Sequence, residues 1–484
     1  MTTIQQVLFG EGVDSAWTNV FGTSNNDWTY SHNIDSDKNA YLVGLARNGT
    51  WGRAWGCLHK FNSDGVFQWG KSIGNSSQSY NSWFVSCDVS SDRIVVQGQT
   101  LNNPNAPHTG NYQDILLAMY DLSGNLQWQK IYGKVTESYQ PTANWSHHDL
   151  ATDVLIDSSN NVYICGNQQN QCGSGIGVCN ANALLAKFNS SGTLQWQKKL
   201  HLSGEAGNLS GGARGSGEQF RQMVFDSSGN IICAGICEPS YGTYNDNFLV
   251  VKFNTSGSVI WQKKVDWGNG DWGQSIALDS SDNIYLCGGN DTGVSNTNKP
   301  TIAKFNSSMV HQWTRRCTSV GSRHFYNVES DSSGNAYAMF YKEDLLTGSS
   351  DNDLGIIKFD SSGNVVWQRA LGGHAGSDIM FTNGKPMNIV GNSFWVSTHG
   401  STGSMGSSDR SVSKYPINGS MTGTYTVDGE TWEYKSMSWT IANGSAPSVS
   451  DAGLTVSNHD AQVWTSSLPQ GGLNHTYTYN LTTK

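Results

Sequence analysis

The chain has 484 residues, of which 14% are charged and 11% aromatic, with 55 glycines and only 9 prolines. A net charge of −9 without clustered Lys or Arg excludes a phosphate-tracking nucleic-acid binder. No apolar run approaches the ~20 residues that cross a bilayer as a helix, and abundant Trp, Tyr, Gly, Ser and Asn favour a turn-rich all-β chain.

Met1 to Gly10 has neither the charged start nor the apolar core of a signal peptide, so synthesis in a cytoplasm with no export route of its own is expected. Residues 1–13 read as an N-terminal arm. Ser15-Ala16-Trp17-Thr18-Asn19-Val20-Phe21-Gly22 then matches a later segment, Leu126-Gln127-Trp128-Gln129-Lys130-Ile131-Tyr132-Gly133. From there a unit repeats. A lysine and an aromatic lead through a Ser/Gly turn to a tryptophan at Lys60-Phe61…Trp69, Lys187-Phe188…Trp196, Lys252-Phe253…Trp261, Lys304-Phe305…Trp313 and Lys358-Phe359…Trp367. A sixth copy, Tyr120…Trp128, has Met119 in the lysine place. Successive tryptophans lie 59, 68, 65, 52 and 54 positions apart, which signals a stacked or radial repeat.

Within one copy, residues 274–278 read as a strand, Asp279-Ser280-Ser281-Asp282-Asn283 as a turn, and 284–287 as a second strand. A polar loop leads to a third strand at 301–305, then Asn306-Ser307-Ser308 turns the chain into a fourth with Trp313. Four antiparallel strands per ~50–65 residues describe a propeller blade. The first turn recurs at Asp35…Asn39, Asp157…Asn161, Asp226…Asn230, Asp279…Asn283 and Asp331…Asn335, with a divergent version at Asp88…Asp92. Each offers one or two acids and serines, short of the roughly six to eight oxygens calcium takes, so a hairpin turn is the reading. Asn-x-Ser/Thr sequons such as Asn189-Ser190-Ser191 fall in such turns as well.

Six complete units end at Trp367. A seventh supplies three strands, 378–382 with its extension, 393–397 and 411–415, but no tryptophan strand follows Lys414-Tyr415-Pro416 in step. Trp17 precedes Trp69 by 52 positions, so the N-terminal strand is expected to complete the last blade and close the ring. Closure removes the sheet edges that a linear array would leave open. The reading is a seven-bladed β-propeller over residues 14–418. Residues 419–484 form a short β-rich appendage, below the size of an independent core, that packs on the rim or serves docking and oligomerisation.

Nine cysteines do not suit a disulfide framework, and Cys165 and Cys287 hold one repeat position as small buried residues. Cys172 and Cys179 share a Gly-rich loop and are left as a pair, a metal site or neither. No cofactor and no resident metal are expected.

The pattern Asp226-Ser227-Ser228-Gly229-Asn230…Gly235, Val250-Val251-Lys252-Phe253 and Ser256-Gly257…Trp261 resembles the SBBP repeats of bacterial and phage β-propellers. The resemblance covers about residues 14 to 416. It departs at Met309, which stands for the turn glycine, and in the seventh unit. It implies the propeller fold and a structural or binding module. Ser/Asn/Gly-rich versions without signal peptides are similar to virion proteins of phages, marine cyanophages among them.

The second-to-third-strand loops and the blade-to-blade connections are long and variable: 45–56, 99–113, 130–149, 167–182, 200–218, 237–247 and 342–353. Both classes emerge on one face of a propeller, where recognition is usually housed. Trp28, Trp51, Trp55, Tyr80, Trp145, Tyr241, Tyr244, Trp267 and Trp272 lie in or beside them and offer stacking faces to sugars or contact area to proteins. Packing beneath neighbouring loops is the competing reading for each. Eight residues before the first-turn positions stand Asp27, Tyr80, Asp149, Glu218, Asp271 and Arg323; the four acids either line the channel mouth and attract a cation or cap loop backbone, and Tyr80 and Arg323 break the ring. No Ser/His/Asp constellation stands out, His147-His148 is a lone pair in a loop, and arginines are too few for a sialidase. The expectation is a non-enzymatic virion component, a tail fibre, receptor-binding or capsid-associated protein. It would bind other virion proteins or a host-surface glycan, without nucleic acid or membrane insertion, and with a possible homo-oligomer through the C-terminal segment. A bacterial surface or secreted adhesin is the alternative, and a propeller glycoside hydrolase the third.

Overall fold

The computed structural model describes residues 4–9, 16–22, 27–48, 53–74, 81–101, 113–133, 149–169, 181–202, 217–237, 246–268, 270–290, 298–319, 324–343, 345–346, 352–373, 378–379, 384–400, 409–427, 430–458, 462–465, 470–472 and 479–481. Seven antiparallel sheets surround one axis, and the protein is a seven-bladed β-propeller. Blade five shows the pattern, with Asp271–Leu278, Ile284–Asn290, Lys299–Phe305 and His311–Cys317 hydrogen-bonded in chain order. Blade seven is built from Met387–Val390, Ser393–Gly400, Asp409–Pro416 and then Ala16–Phe21, with Trp17 opposite Lys414. The N-terminal strand therefore closes the ring as its tryptophan spacing predicts. Outside it, Ile4–Phe9 adds a fifth strand.

The repeated residues explain themselves as joints. In the first turn, Asp331 Oδ1 accepts the backbone N–H groups of Ser333 and Asn335, each at 3.0 Å. Its Oδ2 accepts Asn335 Nδ2 at 2.7 Å and the Tyr337 hydroxyl at 2.8 Å, with Lys358 Nζ at 3.7 Å. Lys358 also lies 4.9 Å from the centre of the Tyr337 ring. Asp279, Asn283, Tyr285 and Lys304 repeat this set in blade five. The repeat lysine on the third strand is thus the counter-charge of the first-turn aspartate, and both carboxylate oxygens of that aspartate are occupied by protein donors.

The repeat tryptophan joins blades. Its indole N–H donates to a carbonyl in the turn that follows the next blade's third strand: Trp128 to Ser190 at 2.9 Å, Trp196 to Thr255 at 3.1 Å, Trp313 to Ser361 at 3.1 Å and Trp367 to Ile417 at 3.3 Å. The turn glycines Gly192, Gly257, Gly363 and Gly419 sit against those rings, where a Cβ would come within 2.8–3.0 Å. At Met309 the turn keeps the left-handed φ of 62° despite its side chain, which is buried in the cluster that Trp261 packs against. Apolar clusters fill the spaces between neighbouring blades. One of them joins Trp17, Trp395 and Val412 of blade seven to Leu42 and Phe61 of blade one.

The second-strand glycine of the repeat has a different cause. In blades one to five the first strand bulges between Thr29 and Ser31, Phe84 and Ser86, Ala151 and Asp153, Phe220 and Gln222, and Gly273 and Ser275. The bulge pushes a backbone carbonyl onto the second strand. A Cβ at Gly44, Gly98, Gly166, Gly235 or Gly288 would lie 1.8–1.9 Å from that oxygen. Blade six has Phe340 in this place, and its first strand, Asn327–Ser330, pairs without a bulge. In blade seven the first strand is broken into Asp378–Ile379 and Met387–Val390.

Residues beyond 419 run around the rim against the order of the blades. Gly423–Val427 and Glu430–Ser436 extend blade six, Ile441–Asn443 blade five, Ser448–Asp451 blade four and Leu454–Asn458 blade three. Gln462–Thr465 joins blade two and Gln470–Gly472 blade one, and Tyr479–Leu481 pairs parallel with Ile4–Gln6 on blade seven. This belt adds a strand to the outer edge of every blade. The glutamine after the repeat tryptophan helps hold it. Gln368 exchanges hydrogen bonds with the Trp439 backbone at 2.6 and 3.0 Å, and Gln262 donates to Leu454 O at 3.1 Å.

Candidate binding face

The first strands face one another around the axis and are stitched by side chains. Asp88 accepts Ile156 N at 2.8 Å, Asp153 accepts Met223 N at 3.0 Å, Gln222 accepts Ile276 N at 3.0 Å and Ser275 accepts Val328 N at 3.0 Å. Asp88 is therefore an axial residue rather than a turn residue. Blade two makes its tight turn at Ser90, whose N–H donates to Arg93 O.

The break in blade seven closes the axis. Gly384 lies against the carbonyls of Tyr30 and Val85, in blades one and two. Lys385 Nζ then reaches Asp153 at 3.2 Å and Met223 O at 3.3 Å, in blades three and four. Burial raises the carboxyls of Asp88 to about 6 and Glu329 to about 7, each opposed by the Lys385 charge. For Lys385, burial opposes the charged form, but Asp153, Asp88 and Glu329 outweigh it and hold the ammonium above its ordinary range. One ammonium thus answers carboxylates from three blades.

The bulges mark the end of the blades from which the long loops leave, and there the bulge carbonyls belong to Trp28, Trp83, Leu150, Gln219 and Trp272. Three of these five equivalent residues are tryptophan. The Arg47 guanidinium lies 5.4 Å from the centre of the Trp28 ring, and the His399 ring lies 6.1 Å from the same indole, tilted against it. Across the ring, the Arg221 guanidinium lies 5.7 Å from Trp272 and donates to Gln274 at 2.5 Å. Trp272 meets His324 edge-on at 5.9 Å, and His324, Tyr326 and Tyr341 stack in turn at 5.8 and 4.9 Å.

Of the nine aromatics expected on this face, Trp28 and Trp272 lie in these two assemblies. Trp55 packs its ring against Gly74. Trp267 turns to the rim, where it meets Phe248 at 5.2 Å and donates its indole N–H to Ser445 O of the belt at 3.1 Å. Trp51, Tyr80, Trp145, Tyr241 and Tyr244 lie outside the described residues, as do Arg323, His147, His148, Cys172 and Cys179. The other seven cysteines are buried thiols.

The acids preceding the first turns are buried. Asp27 caps Arg47 N at 3.0 Å. Asp271 accepts Trp267 N at 2.7 Å and Asn290 Nδ2 at 2.6 Å, although burial still raises it to about 7. In blade two the equivalent residue is Ser82, not Tyr80, and it accepts Gly56 N at 3.1 Å while donating to Ile73 O. Asp27, Asp271 and Ser82 thus cap loop-end backbone. Arg47, Arg221, Trp83 and the His324–Tyr326–Tyr341 stack were missed from sequence. Trp28, Trp83 and Trp272 share one offset before the turn, seven residues ahead of Asp35, Ser90 and Asp279, and that register was the available signal.

No protein-family model matches the chain, and no curated protein matches it. Among solved structures it is similar to the polysaccharide lyase Uly1, at 8% identity over 80% of this chain and 90% of that one, with a TM-score of 0.47. It is also similar to Sqt1 from Chaetomium thermophilum, at 9% identity over 85% and 100% with a TM-score of 0.38. For the rhamnogalacturonan lyase YesW the values are 10%, 86% and 89%, and 0.30. At these scores the likeness says nothing about chemistry.

Proposed function

We propose that this chain is a non-enzymatic binding protein of a phage virion that engages a host-surface glycan, or a partner protein, through its long-loop face. The observation that supports the binding role is the repeated lay of a guanidinium over an equivalent tryptophan on that face, Arg47 on Trp28 and Arg221 on Trp272. Indole and guanidinium planes give stacking area and fixed donors together, the pairing that dominates recognition surfaces. A ring closed by its own terminal strands and girdled by a belt holds such groups rigidly, which lowers the entropic cost of binding. The virion assignment rests on the repeat's resemblance to phage propellers and on the Ser/Asn/Gly-rich composition.

Two measurements test it. Mass spectrometry of purified phage particles should find the chain in stoichiometric amount, and the isolated chain should attach to host cells in a manner abolished by periodate treatment of their glycans. Turnover of a polysaccharide panel by the purified chain would overturn the non-enzymatic reading.

A further inference from the structure

A cleft of about 170 Å³ opens on the long-loop face between blades one and two. Its two tryptophans differ in what they have left to give. The Trp28 ring is already flanked by the Arg47 guanidinium at 5.4 Å and the His399 ring at 6.1 Å, and Arg47 is itself engaged within the protein. That part of the lining supplies contact area and no unspent charge. Trp83 is half-buried and its backbone is fixed by the bulge, with its carbonyl against Gly98. Among the described residues its ring has no aromatic or cationic neighbour and its indole N–H no acceptor. Leu45, Ala54 and Asn81 line the cleft beside it, together with Tyr30. Asn81 Oδ1 accepts Ala54 N at 3.0 Å, so what this amide has left to offer is its N–H₂ group. At about 30 Å³ per water the volume corresponds to roughly six waters, the scale of one small substituent and the edge of one ring.

From this arrangement we infer that the cleft is a subsite for the acetamido group of a neutral N-acetylhexosamine unit, whose pyranose ring stacks on Trp83. The acetamido carbonyl accepts from the Asn81 N–H₂ group, and its methyl takes the hydrocarbon wall of Leu45 and Ala54. The apolar C–H face of the sugar covers the indole that has no other neighbour. Other substituents fit less well. A carboxylate would be desolvated against hydrocarbon with no unspent cation to answer it. An ammonium would meet an amide whose acceptor is already taken, and a bare hydroxyl would leave the methyl-sized space unfilled. This inference rests on the reading of the long-loop face as a glycan-binding surface and adds the ligand class to it.

The test uses the full-length chain on an array of glycans ending in N-acetylglucosamine or N-acetylgalactosamine, beside the same glycans ending in glucose, galactose or a uronic acid. Calorimetric titration follows with the tightest N-acetylated glycan and with its counterpart carrying a hydroxyl in place of the acetamido group. The N-acetylated form should bind about tenfold tighter, the scale of one buried methyl and one hydrogen bond. Asn81→Asp, which keeps an oxygen to cap Ala54 but removes the donor, should erase most of that preference. Ala54→Val, which fills the slot from the protein side, should weaken the N-acetylated form and leave the hydroxyl form nearly unchanged. Trp83→Ala should weaken both forms about tenfold, and Trp83→Phe, which keeps a ring in place if the alanine variant fails to fold, should recover part of the loss. Equal binding of the two forms by the parent chain, or unchanged titrations for folded Asn81→Asp and Ala54→Val, with host attachment intact, would overturn the subsite while leaving the binding role standing. Failure of the parent chain to bind any glycan or any host cell would overturn both.

Discussion

The indole N–H of Trp17 donates to the carbonyl of Ser63 at 3.2 Å. This is the joint that Trp128 makes with Ser190 and Trp313 with Ser361, here formed between a strand from the start of the chain and blade one. Trp17 is fully buried and meets Trp395 edge-on at 5.1 Å. Trp17→Ala is expected to cost about 3–5 kcal/mol, read as a lowered urea midpoint.

The bulge glycines make a sharper prediction because two substitutions of the same kind should differ. Gly166→Ala places a Cβ 1.9 Å from Leu150 O, so strand or bulge must move, which should cost about 3 kcal/mol or more. Gly229→Ala meets no atom within 4 Å and carries only the penalty of its φ of 77°, about 1–2 kcal/mol. Thermal melts of the two variants should rank in that order.

The axial charges set a pH dependence. Glu329 and Asp88 are raised to about 7 and about 6 in the folded chain, so between about pH 4 and 7 the folded state holds protons the unfolded state has released. Their contribution is therefore present at low pH and declines as pH rises through that window. Asp226, Asp279 and Asp331 act oppositely. Burial would raise them, but hydrogen bonds from their turn asparagines and from Lys252, Lys304 or Tyr337 outweigh it. Their contribution is present above about pH 4 and is lost below it. Denaturant midpoints of Glu329→Gln should fall less between pH 5 and 7 than those of the parent chain. Lys385→Met removes the single ammonium answering Asp153 and should cost about 3–5 kcal/mol at neutral pH.

The belt covers blade edges that otherwise offer unpaired backbone groups. Ending the chain after Asn418 strips that strand from all seven blades. The truncated protein should lose stability and self-associate, seen as a shift to higher mass in light scattering.

The ring itself was legible because its joints are chemical. Trp17, Trp69 and their successors keep one period, and the Asp…Asn turns with a third-strand lysine recur with little drift. The second-strand glycine of blades one to five was visible as a repeat, but its cause, a carbonyl driven against it by a bulge, is a tertiary fact. The belt was legible as a short β-rich segment, but its course around the rim was not. Its strands, such as Ile441–Asn443 and Ser448–Asp451, are only three to seven residues long, and their pairing partners lie far away in the sequence. Asp88 read as a turn residue because Asp92 follows it at the familiar spacing, although the turn there starts at Ser90. The plug was hidden in the divergence of blade seven, where Gly384-Lys385 leaves the repeat in order to cross the axis. Of the binding face, Trp28 and Trp272 were legible as aromatics near loops. The guanidiniums that lie over them come from other strands, and no local pattern announces that.

Thr18 Oγ1 and Ser413 Oγ lie 2.9 Å apart in the buried seam between the N-terminal strand and the last blade. A Thr18→Cys/Ser413→Cys chain, oxidised and digested, should give an intramolecular disulfide-linked peptide pair joining residues 18 and 413 in nearly every molecule. Recovery of both cysteines as free thiols from folded protein, or as links between chains, would show that the ring is not closed by its first strand.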